Sequence, residues 1–224
     1  MLFRSWRCVR LVQDDLLTGG TTFVARFDKD AVADAALGCP LPNVATEAKI
    51  PQAAAEGKAG KGLALEAAVS YNARHNIPAG QGTIALDLKC AAAASGTVLA
   101  VAPVTLRLDR GKLVLQQEGT PQEGVPRPVL AGRAGAEAAL KLPADAAWRR
   151  FVITWKDLDL KVACDGQEVL AVKLASPLGA KMCRGLQIRD NRSRASNNPP
   201  FTLGPVRGAV IDNLAISGEI TDRR

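Results

Sequence analysis

Arg189, Arg192 and Arg194, set in and beside the polar run Asp190–Pro200, are the densest group of chemically assertive side chains in this chain of 224 residues. A planar guanidinium presents paired N–H donors that match a carboxylate or a sulfate. A loop carrying three of them, with few apolar residues to bury, suits an anionic partner such as an acidic glycan. Rings that can stack on a sugar are scarce, since aromatic residues make up only 4% of the chain. Tyr71, Trp6 and Phe201 are the ones expected to be exposed, and Phe201 follows the arginine run directly. The expected ligand-binding set is therefore Arg189, Arg192, Arg194, Phe201 and Tyr71. His75 is the single histidine, so any Ser–His–Asp or Cys–His device would have to use it. Its setting, Tyr71-Asn-Ala-Arg-His-Asn76, reads instead as a polar turn. Cys8, Cys39, Cys90, Cys164 and Cys183 are odd in number and lack the C-x-x-C spacing of zinc and redox sites. They read as small buried hydrophobes, with one disulfide open if the chain is exported.

Strands must position these residues. From Arg150 to Trp155 and from Leu158 to Ala163 the chain alternates β-formers, and Asp165-Gly166 supplies the two positive-φ positions of a tight hairpin turn. Thr97 to Ala102, Val104 to Leu108 and Lys112 to Gln117 are further short strands, the last two joined at Arg110-Gly111. Glu118 to Arg133, rich in Pro and Gly, reads as a long surface connection. Ala91 to Ala94 is too short for a helix and reads as a loop or strand edge. The pattern predicts one domain beginning near Thr21, residues 21–224, preceded by residues 1–20 as a tail or truncated remnant. Met1-Leu-Phe-Arg-Ser5 matches the translation of a sequencing adapter, which is the basis for expecting a truncated start.

Five blocks stand in one order along the chain. Phe23-Val-Ala-Arg-Phe-Asp28 leads to Ala33-Asp34, Gly57-Lys-Ala-Gly60-Lys-Gly62 precedes Leu63-Ala-Leu65, and Gly82-Thr-Ile-Ala-Leu-Asp87 opens a strand. The Trp148–Gly166 segment and Ile211-Asp212-Asn-Leu-Ala-Ile216 follow. In this order they resemble the laminin-G-like branch of the concanavalin A-like lectin/glucanase superfamily, with Trp148, Trp155, Asp165 and Gly166 matching its hairpin. Asp87 stands where that family usually has tryptophan, and Arg189 where it has glycine. The resemblance implies an all-β, antiparallel two-sheet jelly-roll sandwich with Trp148 and Trp155 in the core. It also implies that the first and last strands pair and bring Asp28 and Asp212 together. Calcium is common in the superfamily and takes oxygen ligands, so these two residues are the expected Ca2+ site. The other reading of them is a turn cap and an acceptor for backbone amides.

Glucanase members set carboxylates on one strand face with an E-x-D-x-x-E segment. This chain has none, and Asp157 with Asp159 lacks the glutamates. The resemblance thus implies a non-catalytic recognition or adhesion module for a glycan or a protein partner, at the cell surface or outside the cell, within a larger exported protein. A structural subunit of a surface assembly and a divergent glycoside hydrolase are the alternatives. The formal net charge of +7 is dispersed rather than gathered into a basic tail, and no nucleic-acid-binding motif is visible. Nucleic acid is therefore not an expected partner. No apolar run reaches the length of a membrane span.

Overall fold

The computed structural model describes residues 20–44, 49–117, 135–140, 146–175, 178 and 200–220. These residues form two antiparallel sheets, the jelly-roll sandwich that the motif order implied. The larger sheet runs β13 (Gln167–Lys173), β12 (Asp159–Cys164), β11 (Ala147–Lys156), β6 (Gln81–Cys90), β15 (Val210–Ser217), β1 (Thr21–Ala25), β2 (Ala35–Ala36). Where β1 ends, β4 (Lys61–Ala64) takes its place beside β15, and β3 (Ala55–Glu56) pairs with β4. The smaller sheet runs β10 (Gly135–Ala139), β9 (Lys112–Gln117), β8 (Val104–Asp109), β7 (Ser95–Val101), β14 (Pro200–Leu203), β5 (Val69–Asn72).

Alternation along each strand decides which residues meet between the sheets. Ile84, Leu86 and Leu88 of β6 point inward with Phe151, Ile153 and Trp155 of β11, and all are buried. Opposite them lie Leu106, Leu108, Leu113 and Leu115 of the smaller sheet. With so few aromatics, three of them are concentrated in one place: Phe23, Tyr71 and Phe201 pack with ring centroids 5.1 to 5.3 Å apart. Alanines fill part of this core, among them Ala25, Ala31 and Ala36.

Two features of the chain path differ from the sequence reading. Asp165-Gly166 is a tight turn, with φ of 50° and 79°, but it joins β12 to β13. The turn between β11 and β12 is made at Asp157, φ 53°, so the segment is a three-stranded meander rather than one hairpin. In β15 the register with β6 slips between Asp212 and Ala215, where Asn213 adopts φ 50°. This is a β-bulge, with two residues opposing one.

Cys90 and Cys164 are free thiols; Cys8 and Cys183 lie outside the described residues. Burial pushes Cys90 and Cys164 up to about 11, against the opposing pull of the Arg149 guanidinium. Both stay protonated at neutral pH and fill space as the sequence predicts.

Candidate functional site

The outward face of the larger sheet holds an unusual pair. Asp87 of β6 and Asp212 of β15 are direct cross-strand partners, and they are 3% and 1% exposed. Two carboxylates held side by side and shut off from water need donors for every oxygen. Lys58 supplies two, its Nζ to Asp87 Oδ1 at 3.2 Å and its backbone N–H to Asp212 Oδ2 at 2.8 Å. Asn213 supplies two more, Nδ2 to Asp87 Oδ2 at 3.1 Å and its own N–H to Asp212 Oδ1 at 2.7 Å. Arg150, the partner of Asp87 on the other flank, sets its guanidinium 3.3 Å from Asp87 Oδ2.

Local structure explains the arrangement. The β3–β4 hairpin turns at Gly57–Gly60, and a Cβ on Gly57 would stand 2.3 Å from the Lys61 carbonyl oxygen, so only glycine lets the turn close this tightly. The turn lies on the sheet and delivers Lys58, while the bulge at Asn213 delivers that residue's N–H and amide. Asp87 is the charged centre on which these groups converge.

One row further along, Trp148 of β11 is the partner of Lys89 of β6, and Lys89 pairs with Glu56 at 3.6 Å. The sequence reading placed Trp148 in the core with Trp155. The structure corrects this. Trp155 is seven residues away, an odd number, so on one strand the two rings must take opposite faces. Trp155 is buried, and Trp148 lies half-exposed on the outward face with Arg150. The parity was available in the sequence and is the signal that finds this residue. The site therefore has Asp87 and Lys89 as its floor, Glu56 and Lys58 on one side, and Trp148 and Arg150 on the other. The half-exposed ring offers an apolar face for stacking, and the side chains of Lys58 and Arg150, 47% and 40% exposed, keep donors available to solvent.

Tyr71 and Phe201 are not binding residues. They are partners across β5 and β14, both 0% exposed, and their rings stack on each other 5.1 Å apart with 19° between planes. Alternation on those two strands turns both inward. The Tyr71 hydroxyl donates to the Ala31 carbonyl at 2.6 Å, and burial first, then the charge of Asp30, holds its pKa well above the ordinary phenol value. His75 is an exposed turn residue with φ 65°, in keeping with the polar-turn reading. Arg189, Arg192, Arg194 and Trp6 lie outside the described residues.

β1 and β15 do pair, but Asp28 lies beyond β1, and each carboxylate abuts a different end of the Gly57–Gly60 turn. Asp28 is exposed in the loop 26–34, which surrounds an open cavity of about 370 Å³. In that loop Asp34 is occupied by Arg26, through N–H at 2.7 Å and guanidinium at 3.0 Å, and Asp30 accepts the N–H of Val32 at 2.8 Å. Among the described residues no three His, Cys, Asp or Glu side chains gather to hold a metal ion. With both Asp212 oxygens taken by backbone N–H groups, Asp28 and Asp212 do not fit a calcium ion, which needs six or more oxygen ligands.

No protein-family model and no curated protein matches the sequence. Solved structures match the fold. Domain 4 of AbnA, a GH43 extracellular arabinanase from Geobacillus stearothermophilus solved with arabinotriose, aligns with a TM-score of 0.58 over 90% of this chain and 94% of that one, at 18% identity. The ligand-binding domain of botulinum neurotoxin serotype D, solved with N-acetylneuraminic acid, aligns with a TM-score of 0.57 over 91% of this chain and 48% of that one, at 10% identity. The binding domain of Paraclostridial Mosquitocidal Protein 1 gives 0.51 over 88% and 50%, at 12% identity. The chain spans about half the length of the two toxin binding domains, and at these identities the likeness is one of fold.

Proposed function

We propose that this chain is a non-catalytic carbohydrate-recognition module of the laminin-G-like kind, working outside the cell as part of a larger protein. The observation that carries this reading is Trp148, a half-exposed ring on an outward sheet face, with Lys58, Arg150 and the buried Asp87 beside it. A sugar ring offers an apolar C–H face to an aromatic and hydroxyls to charged and amide groups, and these are the groups assembled here. Support comes from the arabinotriose and N-acetylneuraminic acid held by two domains of the same fold.

Asp87 and Asp212 are close enough to invite comparison with the two carboxylates of a retaining glycosidase. Their hydrogen bonds argue against it. A general acid or nucleophile must reach the glycosidic bond, whereas both carboxylates are buried and each of their oxygens is held by Lys58, Asn213 or Arg150. Among the described residues no helix is long and apolar enough to cross a membrane.

The test is a binding panel of neutral and acidic soluble polysaccharides with the purified protein. Wild type should bind at least one member, Trp148→Ala should weaken that binding about tenfold or more without lowering Tm, and no sugar should be released. An Arg192→Ala, Arg194→Ala variant in the same panel measures whether these arginines contribute to acidic members. Full binding by the Trp148→Ala variant would move the site elsewhere.

A further inference from the structure

The outward face of the larger sheet continues past this site in a regular way. Register carries one row across six strands: Ala163 opposite Val152, Val152 opposite Ala85, Ala85 opposite Ala215, Ala215 opposite Val24, and Val24 opposite Ala35. Every side chain in the row is Ala or Val. The row beside it is the charged one, Arg150, Asp87 and Asp212, and on the other side runs a row of hydroxyls, Thr154, Thr83, Ser217 and Thr21. Short side chains between longer polar ones make a shallow trough with a methyl floor, at right angles to the strands. Four inter-strand spacings of about 4.8 Å, from Ala163 to Val24, make its open length about 19 Å. The five residues of that floor are half-buried, and Ala35 at the β2 end is covered.

We infer that the ligand is an internal stretch of a linear, uncharged polysaccharide, lying in this trough across β12, β11, β6, β15 and β1, with the Trp148 ring two rows away beyond the charged row. This rests on the carbohydrate-recognition reading and goes further by naming the polymer's form and charge. The floor suits the C–H faces of successive rings, and the half-buried Thr154, Ser217 and Thr21 hydroxyls match sugar hydroxyls along the chain, Thr83 being buried with its hydroxyl on the Glu219 carbonyl. A protein partner would need large apolar or aromatic anchors at the centre of the patch, and this row has none. A polyanion would need spare cations, yet Lys58 and Arg150 are paired with Asp87 and Lys89 with Glu56. The trough passes several rings' length of sheet, so a chain end has no special place in it.

Titration calorimetry with arabinan, xylan, galactan, β-glucan and polygalacturonate, each beside its own trisaccharide, tests the inference. The neutral polysaccharide that binds should do so about tenfold or more tightly than its trisaccharide. Ala85→Arg, which raises a block in the trough floor, should lose that gain while keeping trisaccharide binding. Ala163→Arg, at the peripheral strand β12, should reduce the gain and serves as the second variant should Ala85→Arg not fold. Equal affinity for polymer and trisaccharide, undiminished polymer binding by both variants, or strongest binding to polygalacturonate would each overturn the trough while leaving a sugar site standing. Binding to no member by wild-type protein would overturn the recognition reading as well.

Discussion

The indole of Trp155 occupies the space that a side chain on Gly82 would fill: a Cβ on Gly82 would stand 2.5 Å from the ring. The two residues are partners across β11 and β6. The glycine of the Gly82-Thr83 block is therefore there for the tryptophan of the following meander, and neither can change alone. Trp155→Ala should destabilise the protein by about 3–5 kcal/mol through the cavity it leaves. Gly82→Ala should cost about 1–3 kcal/mol through overpacking. Urea denaturation of both variants checks the pair, and a loss under about 1 kcal/mol for Trp155→Ala would show that its ring is not in the core.

Trp148 and Trp155 should differ in their access to solvent. Acrylamide should quench the fluorescence contributed by Trp148, measured as the difference between wild type and Trp148→Phe, and barely touch that of Trp155. A bound glycan should protect the first signal only. Equal quenching of the two rings would mean that the parity argument for β11 is wrong.

Asp165 makes the meander sensitive to acid. Burial pushes its carboxyl up, but the N–H of Arg150, at 2.8 Å, and the guanidinium of Arg149, at 2.6 Å, outweigh this and hold its pKa below the ordinary value. A group whose pKa is lower in the folded state stabilises it above the unfolded value, about 3.9. That contribution disappears as pH falls through the folded value. Asp165→Asn should therefore lose about 1 kcal/mol at neutral pH, kept small by solvent screening at this partly exposed turn. The difference from wild type should vanish at low pH. A difference independent of pH between about 2 and 7 would assign the loss to shape rather than charge.

Chelation provides a fourth measurement. Asp212 has its oxygens on the N–H groups of Lys58 and Asn213, so EDTA should leave Tm and glycan binding unchanged. Asp212→Ala, by contrast, strands those two donors and should destabilise the protein by about 1–3 kcal/mol. A fall in Tm with EDTA, restored by Ca2+, would show that the carboxylate has a second role.

Fold and site were unequally legible in the sequence. Alternation and turn residues expose a strand wherever they occur, so β11, β12 and the closing strand Ile211–Ile216 could be read directly, and motif order supplied the sandwich. What alternation along a single strand does not give is which neighbour lies across the ladder. Tyr71 and Phe201 looked like rings beside polar segments, and only the pairing of β5 with β14 shows them stacked in the core. Lys58 and Asp87 are nearly thirty positions apart in the chain, |i−j| = 29, and nothing local to either says they touch. Trp148 is the exception, since counting to Trp155 was enough to assign its face.

The extra residue at Asn213 has a consequence for the two halves of β15. On its C-terminal side the even-numbered residues, Leu214 and Ile216, face the core; on its N-terminal side an odd-numbered one, Ile211, does so. The bulge is a phase shift in the strand. Draw Asn213 into a regular ladder instead and Val210 to Asp212 must rotate by half a turn, pressing a carboxylate into the hydrocarbon between the sheets and turning Ile211 out to water. The strand that closes the sandwich thus encodes two surfaces in opposite phase, and a single position keeps the acidic half of the outward face from being read as interior.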